Sequence, residues 1–422
     1  MNNTRGIAIE CLVRILDRGD RADRVLDEVF ASGELSSADR GFVHELVYGV
    51  LRRFFSLEAD ASRFIRNKPA LWTRMALLAG TYQLRHMRVP VHAAVHETVE
   101  SVKRSPVVRD GGMVNAILRR VADAEPPTRL KPHQRCELPK WLYAKWRDAF
   151  GAEVVQTIAA HCLHAPALSI ALSGDTDREA WIAEADKRGI EAQPGRLSPR
   201  CVLLESGIDV VSLPGFAEGR CLVMDQAAQL AALALGEERG HVLDLCAAPG
   251  GKTALLASRV EHVTAVEFSA SRFPRLRQNL SRLRVGNVSL LQADAASLPM
   301  PDQIVDGVLL DAPCSASGVL RRHPDAKFLH AEADLERHTV HQSAMLHEAL
   351  RVLRPGGRVV YTVCSIHPDE NEGVVMPLLE SGAVTPDILG DALQPFAAGE
   401  GMARLFPDEA HDGFFIACLR KA

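Results

Sequence analysis

Two cysteines, Cys314 and Cys364, lie in segments with the makings of a nucleophilic site. The first falls in Asp311-Ala-Pro-Cys-Ser-Ala-Ser-Gly-Val-Leu-Arg-Arg-His-Pro-Asp325, the second in Tyr361-Thr-Val-Cys-Ser-Ile-His-Pro-Asp-Glu-Asn-Glu372. Each follows an apolar run of strand character. If those strands neighbour each other, both thiols reach one pocket. A thiolate in a basic, partly exposed pocket is a competent nucleophile. The chain has nine cysteines, spread singly. For Cys11, Cys162, Cys221 and Cys418 the expectation is a buried, inert thiol. No two form a C-x-x-C pair, so a structural zinc site is not expected, and no metal is assigned.

A second group of residues reads as a ligand cradle. The run His241-Val-Leu-Asp-Leu245 leads into Cys246-Ala-Ala-Pro-Gly-Gly-Lys-Thr253 and then into a helix over Ala254 to Arg259. In open α/β sheets ligands bind at the carboxyl ends of the strands. Gly250 and Gly251 let backbone approach a ligand at a helix N-terminus. A phosphate-gripping loop needs G-x-x-x-x-G-K-[ST], and its first glycine would fall on Cys246; the dinucleotide fingerprint is absent too. The acids point elsewhere. Asp244 lies at the end of the first strand, Glu267 at the end of the second, Asp294 just after the third and Asp311 at the end of the fourth. Carboxylates there repel pyrophosphate and suit a cationic, ribose-bearing ligand. S-adenosyl-L-methionine, with its sulfonium, amino acid, ribose and adenine, meets that description.

These residues need a framework. From about Gln226 apolar strand-like runs alternate with helical stretches: His241–Leu245, Val263–Glu267, Val288–Leu291, Val305–Asp311 and Arg358–Val363. That rhythm implies a mostly parallel sheet covered on both faces. Residues 1–125 read as helix throughout, with apolar residues at three and four spacing and Ser36, Ser37 and Asp39 as N-cap candidates. Proline-rich punctuation at residues 125–132 marks a linker. Residues 138–220 mix helical and strand-like runs and suit a small α+β unit.

The chain has 422 residues, 47% hydrophobic and 24% charged, which fits two to four globular domains. No run approaches a membrane span, and residues 1–21 lack a signal-peptide core, so the expectation is a cytoplasmic protein. The net charge of −4 hides an asymmetry. Residues 51–150 hold 19 Lys+Arg against 9 Asp+Glu, while the rear of the chain is acidic. A basic front module is compatible with a polyanion such as RNA.

At this point the motifs carry a resemblance. Asp244-Leu-Cys-Ala-Ala-Pro-Gly-Gly-Lys-Thr253, Asp311-Ala-Pro-Cys314 and the Cys364-Ser365 segment are similar to motifs I, IV and VI of the Sun-type RNA cytosine-carbon-5 methyltransferases. The whole chain resembles the bacterial Sun/Fmu, RsmB-type branch, which acts on 16S rRNA. Asp39-Arg-Gly-Phe-Val-His-Glu-Leu-Val-Tyr-Gly-Val-Leu-Arg-Arg53 and Asn115-Ala-Ile-Leu-Arg-Arg120 resemble the NusB-type RNA-binding domain, and His411-Asp-Gly-Phe-Phe-Ile-Ala417 the family's last strand.

The resemblance implies three domains: an all-α NusB-like domain over 1–135, a small α+β connecting domain over 136–222, and an α/β Rossmann-like class I methyltransferase domain over 223–422. It implies S-adenosyl-L-methionine as cofactor, held by Cys246, Ala247, Ala248, Pro249, Gly250, Gly251, Lys252, Asp311, Glu267 on the ribose and Asp294 on the adenine. It implies Cys364 as the nucleophile, Cys314 as base or elimination helper, Asp311 on the cytosine edge and Lys252 near the base or the methionine carboxylate. The partner implied is RNA, 16S rRNA foremost, with no DNA or membrane partner and a monomeric state. The residues alone leave open which cysteine attacks, because DNA cytosine methyltransferases use a Pro-Cys motif like Pro313-Cys314. Two departures stand out: Val363 where the family has Thr, and Ala171-Leu172-Ser173 where it often has Arg-Val-Asn. His323-Pro324-Asp325 reads either as a structural turn or as an RNA-positioning element. Two other readings remain: the same chemistry on tRNA or another RNA, and a non-catalytic RNA-binding or antitermination factor on a degenerate methyltransferase fold.

Overall fold

The computed structural model describes residues 3–105, 107–205, 207–236 and 240–422; Met1 and Asn2, at the head of the expected front span, lie outside them. The chain divides into two compact units. One comprises Met1–His164 and Leu320–Glu332, the other Ala165–Val319 and Ala333–Ala422.

The first unit is helical. Its principal helices are Thr4–Arg18, Ala22–Ala31, Ser37–Arg52, Phe54–Ser62, Leu71–His86, Val91–Arg104, Gly111–Asp123, Lys140–Phe150 and Ala152–Cys162. The expected cap forms: Ser36 accepts the Asp39 N–H at the start of Ser37–Arg52. Residues at three and four spacing, such as Val43, Leu46, Val47, Val50 and Leu51, make one buried apolar core with the facing sides of the helices from Thr4–Arg18 to Gly111–Asp123. The pair Lys140–Phe150 and Ala152–Cys162 packs in this unit, and so does Leu320–Glu332.

That returning segment is anchored by polar contacts. Asp325 Oδ2 accepts the Ala22 N–H at 3.1 Å, at the start of helix Ala22–Ala31. His323-Pro324-Asp325 therefore has a structural task in the turn. Lys327 is buried and donates to the carbonyls of Arg52 at 3.0 Å and Glu137 at 2.8 Å. The Glu137 carboxylate accepts the Phe55 and Ser56 N–H groups at 2.8 and 3.2 Å, capping helix Phe54–Ser62 from a distance. Burial draws the Lys327 ammonium down to about 8, against the pull of Glu137.

The second unit holds two sheets. The smaller contains β1 (Leu168–Leu172), β2 (Ala192–Pro194), β3 (Cys201–Leu204) and β4 (Cys221–Val223), ordered β2-β3-β1-β4 and antiparallel throughout. Helix Arg178–Asp186 covers it through Trp181, whose indole N–H reaches the Pro214 carbonyl at 2.8 Å. In the stretch Ala171-Leu172-Ser173, Ala171 and Leu172 are buried within this sheet.

The larger sheet contains β5 (His241–Leu245), β6 (His262–Val266), β7 (Val288–Leu291), β8 (Val305–Asp311), β9 (Leu353–Val363), β10 (Val384–Pro386), β11 (Ala397–Gly399), β12 (Met402–Leu405) and β13 (Phe414–Lys421). Strands β7-β6-β5-β8-β9 are parallel; β13, β12 and β11 continue the order antiparallel, with β10 on β13. Alternate residues feed two cores. Val242, Leu309 and Val360 face one side, and Leu243, Leu245, Leu310 and Tyr361 the other. The strand order reverses between β5 and β8, which opens a crevice at their carboxyl ends.

Candidate active site

Asp244 is the last polar residue on β5 and is fully buried. Thr253 Oγ1 donates to its Oδ2 at 2.5 Å, while Oδ1 has no hydrogen-bond partner among the described residues. Burial raises its carboxyl to about 7, and the charges of Asp311 and Glu267 add to the rise. Cys246 follows with φ at 65°, so the chain turns abruptly out of the strand. Burial and the same three acids push the Cys246 thiol far up. The loop closes with the Gly250 N–H on the Ala247 carbonyl at 2.8 Å, and helix Gly251–Ala257 begins. Gly250 has φ at 100°, and a Cβ there would sit 2.9 Å from Leu276. Only glycine both adopts that conformation and admits the neighbouring helix.

Glu267 is 1% exposed directly after β6. Its carboxylate accepts the Ser269 N–H at 2.8 Å and the Ala248 N–H at 3.3 Å, and pairs with Arg272 at 3.0 Å. The two N–H contacts lock the group at the mouth of the loop. Asp294 lies three residues after β7 and accepts the Ala296 N–H at 2.9 Å, so one of its oxygens serves a turn. Pro249 accepts from Asn279 Nδ2 at 2.8 Å, which fastens the loop to helix Phe273–Arg282.

The four carboxylates and the loop fit S-adenosyl-L-methionine. After burial, the charges of Asp311 and Glu267 add to the rise of Asp244 and Cys246, and negative charge there suits a sulfonium. Glu267 is a buried carboxylate at the loop, and Asp244 Oδ1 is an acceptor left unmet among the described residues.

Strand β8 ends in Asp311, and Lys252 Nζ donates to its Oδ2 at 2.6 Å. Burial pulls the Lys252 ammonium down, but the charge and hydrogen bond of Asp311 outweigh it and hold it above its ordinary value. The ammonium also lies 5.7 Å from the Phe414 ring centre. Because β8 and β9 are adjacent and parallel, the two thiols meet: Cys314 Sγ is 3.3 Å from Cys364 Sγ. The Cys364 thiol beside it, burial and the charge of Glu370 push the Cys314 thiol well up. The Gly318 N–H donates to the Cys364 carbonyl at 3.0 Å. A Cβ on Gly318 would fall 2.2 Å from the Gly413 carbonyl oxygen, so this approach requires glycine.

The structure thus gathers Cys246 to Lys252, Glu267, Asp311, Cys314 and Cys364 at one edge of the sheet, with Asp294 in its turn beyond β7. Thr362, beside the unusual Val363, commits its hydroxyl to the Phe415 carbonyl at 2.8 Å, and Val363 is buried. Two residues gain roles that the sequence motifs did not supply: Thr253, on Asp244, and Glu370. Glu370 stands in the acid-rich Pro368-Asp-Glu-Asn-Glu372 and is wholly buried. Its spacing of six from Cys364 was the available signal.

Comparison with known proteins follows the same outline. Residues 230–420 match the family model described as 16S rRNA methyltransferase RsmB/F, residues 2–123 the NusB family, and residues 138–211 the ferredoxin-like domain of RsmF/B-like methyltransferases. The ribosomal RNA small subunit methyltransferase B of Vibrio cholerae is 35% identical over 99% of this chain and 98% of its own. The protein of the same name from Salmonella newport is 33% identical over 100% and 99%. Among solved structures, PH0851 superposes over 100% of this chain and 99% of its own, with TM-score 0.83 at 22% identity, a likeness of fold. A methyltransferase homolog protein from Pyrococcus horikoshii covers 70% of this chain and 99% of its own, with TM-score 0.59 at 26% identity.

Proposed function

The chain belongs to the 16S rRNA methyltransferase RsmB/F family, and on that premise we propose that it methylates carbon 5 of one cytosine in 16S rRNA through a covalent cysteine adduct. Membership makes it an S-adenosyl-L-methionine-dependent rRNA methyltransferase. The finer assignment is supported above all by the 3.3 Å approach of Cys314 and Cys364 beside the Lys252–Asp311 pair.

When bound, S-adenosyl-L-methionine supplies an electrophilic methyl group. Carbon 5 of cytosine is a poor nucleophile, and the protein must make it a better one. Cys364 Sγ, as thiolate, adds to carbon 6; a C–S bond forms and electron density moves onto carbon 5. Asp311 holds the cytosine edge and stabilises the protonated adduct. Once carbon 5 carries the methyl group it must lose its hydrogen. Cys314 Sγ, itself deprotonated by then, takes that proton, and the C–S bond then breaks, returning the Cys364 thiolate. Lys252 holds Asp311. Glu267 and Asp294 receive the ribose and adenine, with Cys246 to Lys252 lining the remainder. The target base must leave its stack to reach Cys364. Functionally we assign residues 1–135 to RNA docking, 136–222 to connection and 223–422 to chemistry, in a cytoplasmic monomer.

The test is a pair of variants on 16S rRNA. Cys364→Ala abolishes methyl transfer, and Cys314→Ala accumulates a covalent protein–RNA adduct. Normal turnover by Cys364→Ala would sink the assignment. Bisulfite sequencing of rRNA from a strain lacking the gene names the cytosine.

A further inference from the structure

Glu370 ends the short 3-10 turn Pro368–Glu370 and is completely shielded from solvent. A carboxylate in that position is costly unless its oxygens are met. Four donors meet these. Oε1 accepts the Ser315 N–H at 2.8 Å and Gln342 Nε2 at 3.1 Å; Oε2 accepts Ser315 Oγ and Ser365 Oγ, each at 2.5 Å. Ser315 directly follows Cys314, and Ser365 directly follows Cys364. One carboxylate therefore holds the residue after each thiol.

The rest of the network tightens the same clamp. Gln342 also donates to the carbonyl of Pro313, the residue before Cys314, at 2.9 Å. Tyr361 Oη donates to the Glu370 carbonyl at 2.7 Å and ties the turn to β9. With its proton committed to Glu370, Ser365 Oγ accepts the His367 N–H at 3.1 Å and the Ser317 hydroxyl at 3.0 Å. Ser317 Oγ in turn accepts the Ile366 N–H at 3.2 Å.

Charge is distributed unevenly about the thiols. The Glu370 carboxylate contributes to the raised Cys314 thiol, behind the neighbouring Cys364 and burial. At the other end, Lys252 feels Cys364 as well as Asp311 and Asp244. The charge of Cys314 also acts on the buried Tyr361 hydroxyl.

We propose that Glu370 is the positioning residue of the thiol pair: its carboxylate holds the Cys314 and Cys364 loops at their working separation and sets how the two sulfurs differ in reactivity. The inference rests on the roles given to the two cysteines above, and its test separates the two failures.

The test uses the full-length protein with Glu370→Gln, which keeps the shape and removes the charge, and Glu370→Asp, which keeps the charge on a shorter arm. Iodoacetamide labelling read by peptide mass spectrometry gives the alkylation rate at each cysteine. Wild-type protein labels Cys364 faster than Cys314; in Glu370→Gln that preference falls about tenfold, the effect of one pKa unit on the thiolate ratio. Single-turnover methyl transfer falls roughly 100-fold, as for the loss of a charge-assisted clamp, while calorimetric affinity for S-adenosyl-L-methionine is unchanged. Glu370→Asp restores the labelling preference but not the rate. A merely structural role would lower the melting temperature and leave the labelling ratio unmoved. A folded Glu370→Gln with wild-type labelling ratio and rate overturns the proposal. Should that variant not fold, Ser315→Ala with Ser365→Ala removes both arms of the clamp, and wild-type turnover in the double variant overturns it equally. Inactive Cys364→Ala beside fully active Glu370→Gln defeats this inference alone; active Cys364→Ala defeats the cysteine assignment beneath it.

Discussion

Cys314 Sγ and Cys364 Sγ stand 3.3 Å apart although fifty residues separate them in the chain. Adjacent parallel strands β8 and β9 deliver both to one spot. Both side chains are partly open to solvent. Peroxide at low concentration is expected to join them, two thiols and one hydrogen peroxide giving one disulfide and two waters. Methyl transfer should vanish with the loss of two titratable thiols and return with dithiothreitol. Peptide mapping that finds no Cys314–Cys364 linkage after inactivation would contradict this.

Glu267 is prearranged by the Ala248 and Ser269 N–H groups and Arg272. Glu267→Gln should keep the fold but weaken S-adenosyl-L-methionine binding. Hydrogen bonds to a charged acceptor are worth about 1.5–3 kcal/mol, so the calorimetric Kd should rise roughly 10- to 150-fold. A change below twofold would remove Glu267 from the ribose site.

Asp311 faces the bound base in the proposed chemistry and holds Lys252 at 2.6 Å. Asp311→Asn should lower single-turnover transfer by about 100-fold, because it loses a charged partner for the adduct. Lys252→Met should act in the same direction and less than additively with it, since the two side chains form one unit. Additive losses in the double variant would show that the pair does not act together.

Cys221 carries a pH signature. Burial raises its thiol to about 11 in the folded protein, against the opposing charges of Arg282 and Arg220. The folded value lies above the unfolded one, so the stabilisation is complete below the unfolded pKa and is lost as pH rises towards 11. In that window the unfolded chain binds fewer protons, and each such thiol costs about 1.4 kcal/mol per pH unit. Cys221→Ala should flatten the alkaline fall in unfolding free energy by that slope, whatever its offset. An unchanged slope between pH 9 and 11 would refute the assignment.

Much of this protein was legible before its structure. Strands such as His241–Leu245 and Val305–Asp311 are mostly apolar because a sheet covered on both faces demands it. Acids placed at strand ends stay at strand ends, since the strand itself decides where they emerge. Ser36 caps its helix through contacts three residues away. These features are local in sequence, and local periodicity specifies them.

Tertiary structure decided the rest, because it depends on pairs far apart in the chain. The pairing of β8 with β9 sets the thiol separation, and no spacing within either motif contains it. The packing of Leu320–Glu332 with the helical unit depends on Lys327 finding carbonyls at Arg52 and Glu137. The acid-rich turn at Pro368–Glu372 is polar enough to belong in water. Glu370 is nevertheless buried, because Ser315, Ser365 and Gln342 together satisfy its carboxylate, and only the folded chain brings those donors to one point.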